Sequence, residues 1–281
     1  MTTNYFAHRA TPRAIALAVV ALGFSLCSAT AMAQTGLQVA KPKTSDAAAS
    51  DSAKVSFSLG VNRSTNTLFK GLTIRSRSDV LLDFSYEKGR LFASMQNGIG
   101  YKLVDEPTLT LGLSANYMPG RYAASDSRYA GMGDVAGTVA AYGFAEWRPV
   151  KDVVTVYGSY SKSTRSANGS LTTLGTTLGF PVAGKLNGFF DLNFNWGSSA
   201  YTQSFYGVNA AQSVGSGYAV YSAPSGLVSS TPTLGLVYEA DKHWSVIGYA
   251  GQTRLSSTLA ASPLVTQRRQ PVAALLSNWT Y

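Results

Sequence analysis

Residues 186–196 (Leu-Asn-Gly-Phe-Phe-Asp-Leu-Asn-Phe-Asn-Trp) sort almost completely by parity. Leu186, Phe190, Leu192, Phe194 and Trp196 occupy one set of positions, and Asn187, Asp191, Asn193 and Asn195 the other. A period of two belongs to a β-strand. At about 3.3 Å per residue and a tilt near ~45°, such a segment rises roughly 25 Å, the height of the apolar band of an outer-membrane barrel. One face therefore suits lipid, and the chain must find an interior for the other.

A soluble barrel or sandwich also alternates, so the character of the polar face decides between them. Here that face is Asn, Asp, Thr, Ser and Gly, and the whole chain is 13% charged, where soluble domains average about 25% with abundant surface Lys and Glu. Small neutral side chains suit a narrow, hydrated lumen. The expected fold is all-β: a transmembrane antiparallel up-and-down barrel.

Residues 1–33 read as a secretory signal peptide. Arg9 and Arg13 precede an apolar run from Ala14 to Leu26, and Ala31-Met32-Ala33 offers a small-x-small cleavage site before Gln34. Gly23, Ser25, Ser28 and Thr30 interrupt the run and leave it short of the roughly 20 residues of a helical span. Cys27 lacks the small preceding residue of a lipidated cysteine. Once the signal is removed, no cysteine remains for a disulfide, a thiol nucleophile or a thiolate metal site. Residues 34–53, rich in Ala, Ser, Lys and Thr, read as a flexible periplasmic lead-in, and 54–281 as the barrel.

Within the barrel, Val55 to Val61 alternate as a first strand, and a weaker one follows over 65–75. Val80 to Tyr86, a Lys88-Gly89 turn and a strand from Arg90 to Leu103 make a hairpin. After the Asp105-Glu106-Pro107 turn come strands at 109–117, 135–147, 153–163, 173–180, 186–196, 233–239, 244–256 and 272–281. This gives about twelve strands, with ten if the weak second one fails. Bacterial barrels have an even strand number, short periplasmic turns and longer external loops. Counting back from the terminal strand puts 148–152, 182–185 and 240–243 in the periplasm, and 119–134, 197–231 and 257–271 outside. The aromatics of 197–231, among them Tyr201, Phe205, Tyr206, Tyr218 and Tyr221, predict an ordered loop over or inside the barrel mouth. Trp279 and Tyr281 share a face of the last strand, the pattern by which the barrel-assembly machinery recognises clients; an interfacial girdle role also fits them.

The net charge of +9 falls to +7 once Arg9 and Arg13 leave. Nucleic acid is not a partner for an exported chain. The arginines placed in loops (Arg63, Arg75, Arg77, Arg121, Arg128, Arg165, Arg254, Arg268 and Arg269) would meet lipopolysaccharide phosphates among the surrounding outer-membrane lipids, or simply form a solvated basic surface. Catalytic chemistry lacks its parts. His243, the one histidine after the signal, sits in a short turn beside Asp241 and Trp244, with neither a nucleophile nor a second zinc ligand in the pattern. Asp83 and Asp191 read as lone lumen residues and Asp105-Glu106 as turn residues, and no phosphate-binding glycine motif is present. No catalytic, metal or cofactor residues are assigned.

Several stretches resemble the MipA/OmpV family of outer-membrane proteins. They are Asn97-Gly98-Ile99-Gly100-Tyr101-Lys102-Leu103; Tyr129 to Val135; Ser204-Phe205-Tyr206-Gly207-Val208 with Gln212-Ser213 and Ser216-Gly217; and Ser262-Pro263-Leu264-Val265. They recur in family order from about Leu91 to Tyr281. The chain departs at Phe205-Tyr206, where the family has Tyr-Phe, and over residues 54–78. The resemblance implies a non-enzymatic monomeric barrel that partners the lytic transglycosylase MltA, scaffolding a murein hydrolase with a peptidoglycan synthase. Other members are described as channels or adhesins, and the resemblance does not choose among these roles.

Overall fold

The computed structural model describes residues 53–69 and 72–281, with the backbone alone described from 62 to 81. The signal peptide, its cleavage residues Ala31, Ala33 and Gln34, and nearly all of the lead-in lie outside the described residues. The strands are β1 (Lys54–Phe69), β2 (Leu72–Lys88), β3 (Leu91–Ser94), β4 (Gly98–Asp105), β5 (Leu109–Met118), β6 (Thr138–Val150), β7 (Val154–Ser163), β8 (Ser170–Ala183), β9 (Leu186–Gly197), β10 (Gly226–Glu239), β11 (Trp244–Leu255) and β12 (Arg269–Thr280). Each pairs antiparallel with its sequence neighbours, and β1 pairs with β12 from Ser56↔Thr280 to Ser64↔Val272, which closes a twelve-stranded barrel. The Tyr281 N–H donates to the Val55 carbonyl at 2.9 Å and completes that seam.

Alternation sorts the wall as expected. Leu59, Leu113, Val139, Leu174, Leu234 and Leu275 stand exposed on the outer face. A continuous apolar belt of this kind needs a lipid solvent, and closing the sheet satisfies every strand edge that lipid would otherwise leave unpaired. Among the described residues no helix is long and apolar enough to cross a membrane.

The inner face departs from the expected hydrated lumen. On β9, Asp191, Asn193 and Asn195 are 0%, 0% and 1% exposed. The Asp191 carboxylate accepts from Tyr157 Oη at 2.9 Å, Thr177 Oγ1 at 2.8 Å and Asn193 Nδ2 at 3.1 Å. Asn195 accepts from Thr173 Oγ1 at 2.8 Å and donates to Ser229 Oγ at 3.2 Å. These groups satisfy one another because the register of β7 to β10 sets them opposite one another, Thr177 across from Asp191 and Thr173 and Ser229 across from Asn195, which the sequence pattern of β9 does not show. Rings pack against the inner wall as well: Phe144 lies across Gly112, Tyr157 across Gly175 and Phe189 across Gly235, each leaving no room for a Cβ. Phe189, the apolar residue on the polar parity of β9, is thereby explained. Asp83, on the polar parity of β2, stays exposed.

Three expected boundaries change. The weak strand over 65–75 is the top of one long hairpin, β1 running to Phe69 and β2 starting at Leu72. The single strand over 90–103 is two, β3 and β4. The Asn97 N–H is held by Ser94 Oγ at 2.9 Å, and Gly98 takes φ 75°, a left-handed turn open to glycine. Asn-Gly is a hairpin signal that the apolar residues on both sides obscured. The loop over 197–231 ends at β10, which begins at Gly226. Ser229, Ser230 and Thr231 have loop composition, yet Ser229 and Thr231 line the inner wall. The count of twelve stands with these corrections.

Candidate functional site

Short turns gather at one end of the barrel and long connections at the other, which by the usual asymmetry is the external end. The longest connection carries α1 (Ser199–Tyr206) and α2 (Ala210–Ser216). Ser198 caps α1 by accepting the Tyr201 N–H at 3.3 Å. One face of α1 buries Tyr201, Thr202, Phe205 and Tyr206, and each buried ring contributes roughly 1.5–3 kcal/mol to holding the loop in place. Val208 then bridges Tyr221 through paired backbone hydrogen bonds of 2.9 Å. Asn209 and Gln212 form a reciprocal capping box on α2, and Gly217 ends that helix in the left-handed conformation with φ 77°.

The other external loops lock onto this one. Between β11 and β12, α3 (Ser257–Ala260) places Leu259 against Tyr201, Phe205 and Tyr206, and Ser262 Oγ donates to the Tyr206 carbonyl at 2.6 Å. Between β5 and β6, Tyr129 and Met132 pack on Val208 and Leu264. Gln212 Nε2 donates to the Met132 carbonyl at 2.8 Å, and Gly131 lies so close to Gly215 that a Cβ would overlap its carbonyl. These loops interlock as a plug at this end of the barrel, and the β7–β8 connection joins them through the Ala167 carbonyl. Burial pushes the hydroxyls of Tyr129, Tyr201 and Tyr206 above their ordinary range.

Every residue of the motif from Ser204 to Gly217 has a place in this plug. Phe205, Tyr206 and Val208 are its core, Gly207 N–H closes α1 on the Gln203 carbonyl, Gln212 and Gly217 cap α2, and Ser204 Oγ holds the Ala167 carbonyl. Ser213 Oγ donates to the Tyr218 carbonyl and Ser216 Oγ to that of Gln212, each at 2.6 Å. Tyr129 to Val135 and Ser262 to Val265 meet it there, so three of the four family-like stretches converge. Trp279 and Tyr281 lie at the opposite end, stacked on each other at 6.0 Å, with His243 stacked on Trp279 and its Nδ1 donating to the Thr280 carbonyl at 2.8 Å. Asp241 accepts the N–H groups of His243 and Trp244, which holds its carboxyl below the usual range.

The basic loop surface is smaller than expected. Arg63, Arg75 and Arg77 belong to β1 and β2, Arg254 to β11 and Arg269 to β12; Arg128 is paired with Asp126 at 2.8 Å, and Arg121 is buried. Arg165, Arg254, Arg268 and Arg269 stay exposed. Asn209 and Gln203 are plug residues that the sequence pattern did not single out, and Arg121, expected on a basic loop surface, is buried among them. The Asn209-x-x-Gln212 spacing before a helix was a usable signal for the first. Replacing Asn209 with alanine should cost about 1 kcal/mol, read as faster amide exchange confined to α2.

A closed barrel with an apolar belt, a filled inner wall and an interlocked mouth defines an outer-membrane β-barrel. Residues 47–281 match the family model for the MltA-interacting protein MipA, and the chain belongs to that family. The match takes in residues 54–78, where the chain departs from the family-like motifs. No curated protein matches the chain. Similar solved structures include the NanC porin, at 7% identity over 80% of this chain and 98% of that one with a TM-score of 0.41. They also include the COG4313 outer membrane channel from Pseudomonas putida F1, at 11% identity over 85% and 99% with a TM-score of 0.40. The Pseudomonas putida toluene transporter TodX is 9% identical over 83% and 89%, with a TM-score of 0.36. Likeness at this level carries no functional argument, and the barrel here rests on the chain's own strand pairing.

Proposed function

We propose that this protein is a non-enzymatic interaction barrel that couples the outer membrane to a peptidoglycan-remodelling enzyme of the lytic transglycosylase class. The observation that carries the reading is where the polar residues of the interior are used: Asp191, Asn193 and Asn195 bond to neighbouring groups of the wall, and buried aromatics pack the long loops against one another at the mouth. A wall built that way serves rigidity more than passage. The family description, MltA-interacting protein, supplies the partner class, and a peptidoglycan synthase would be the second enzyme of such a scaffold. The short-turn end offers Tyr281, 74% exposed and stacked on Trp279, with Trp244 paired across from Trp279, as an aromatic contact surface. Immobilised, correctly folded barrel should capture a lytic transglycosylase from envelope extracts, and a clean negative with heat-modifiable protein on the matrix removes the reading.

A second reading, a small diffusion channel, draws on Asp83, which is exposed on the polar parity of β2 where Asp191 is buried. Purified protein in planar bilayers is expected to give no conductance steps. Ion-selective steps that shift with Asp83→Asn would establish the channel and displace the scaffold as the main role.

A further inference from the structure

Arg121 stands three residues past the end of β5, its backbone bridged to Val135 by hydrogen bonds of 2.8 and 2.7 Å. This pairing carries the side chain into the plug, where the residue is 2% exposed. Its guanidinium carbon lies 4.9 Å from the centre of the Tyr129 ring, a cation–π contact that satisfies the face of the group but none of its N–H donors. Nε, Nη1 and Nη2 are all buried without a protein acceptor, and so is Tyr129 Oη. Asp134, the acidic group whose charge acts on it, accepts the Ala123 N–H at 2.7 Å and forms no ion pair with Arg121.

Burial lowers the guanidinium's proton affinity, yet its ordinary value is so high that the charge persists. A buried cation with five unused donors is costly unless something brings both negative charge and acceptor oxygens. We infer that Arg121 and Tyr129 form a binding site for a small oxyanion, a phosphate or a carboxylate, enclosed among the external loops. The fork of the guanidinium matches two oxygens of such a group, and the protonated Tyr129 hydroxyl adds a third donor. Because Arg121 belongs to the β5–β6 loop and Tyr129 packs on Val208 and Leu264 of the other two, the bound anion would brace the plug. Burial of Arg121 excludes the phosphates of the surrounding lipopolysaccharide as ligands.

The test uses the full barrel in detergent micelles, with sodium chloride holding the ionic strength constant while inorganic phosphate or acetate is titrated. Wild type should show saturable stabilisation in the melting of its heat-modifiable form, and so should Arg128→Met, which removes an arginine already paired with Asp126. Arg121→Met should fold and lose the response. Arg121→Lys, which keeps the charge but not the fork, should raise the half-saturation concentration about tenfold. Saturation by phosphate alone assigns a tetrahedral anion, and by acetate as well, a carboxylate-type site. An equal response in wild type and Arg121→Met, or none in either, overturns the inference and leaves water as what meets the guanidinium.

Discussion

Asp191→Leu should lower the stability of the folded barrel by about 3 kcal/mol or more, since each of three buried donors left behind costs roughly 1–3 kcal/mol. The sign follows from what remains. Removing a buried carboxylate can be harmless when its partners go too, but here Tyr157, Thr177 and Asn193 keep their donors. Tyr157 cannot easily swing away to water, because it is buried with the hydroxyl end of its ring packed against Gly175. Asp191→Asn retains one acceptor oxygen and should fall in between. Urea titration of the heat-modifiable form in detergent measures both, and an Asp191→Leu barrel as stable as wild type would show that the network on the inner wall contributes little.

Gly131→Val should release the plug while leaving the barrel closed. Gly131 has φ 76°, a conformation costing a side-chain-bearing residue roughly 1–2 kcal/mol, and its Cβ would overlap the Gly215 carbonyl on α2. The two loops must separate to relieve that clash, and the bond from Gln212 to the Met132 carbonyl is lost with the separation. In intact cells, protease should spare the segment from Ser204 to Gly217 in wild type and cut it in the variant, with both proteins still heat-modifiable. Rapid cutting of wild type would mean that the aromatics of α1 do not hold the loop, and the plug would have to be abandoned as a rigid element.

Much of the fold was legible because a barrel strand advertises itself locally. Leu186 to Trp196 alternate because one face meets lipid along the whole segment, and the same parity placed Leu174, Leu178 and Phe180 outside and Thr173 and Thr177 inside. The errors came where local composition and tertiary role part company. Ser229 and Thr231 have loop chemistry but line a wall, and Asn97-Gly98 turns the chain within what looks like one apolar run. In the candidate site, the aromatic content of the longest loop announced order but not its partners.

From the amino-acid order alone, this chain is a lipid-facing antiparallel barrel of twelve or ten strands with long loops at one end, because period, turn chemistry and strand parity are properties of neighbouring residues. The tertiary structure alone decided that the count is twelve, that Asp191, Asn193 and Asn195 bond to neighbouring groups of the wall instead of lining open water, and that Arg121 is a buried cation and not part of a basic rim. Each of these depends on what stands opposite a side chain across the barrel or the mouth. That is set by closure and by the packing of three loops distant in sequence, and no local pattern carries it.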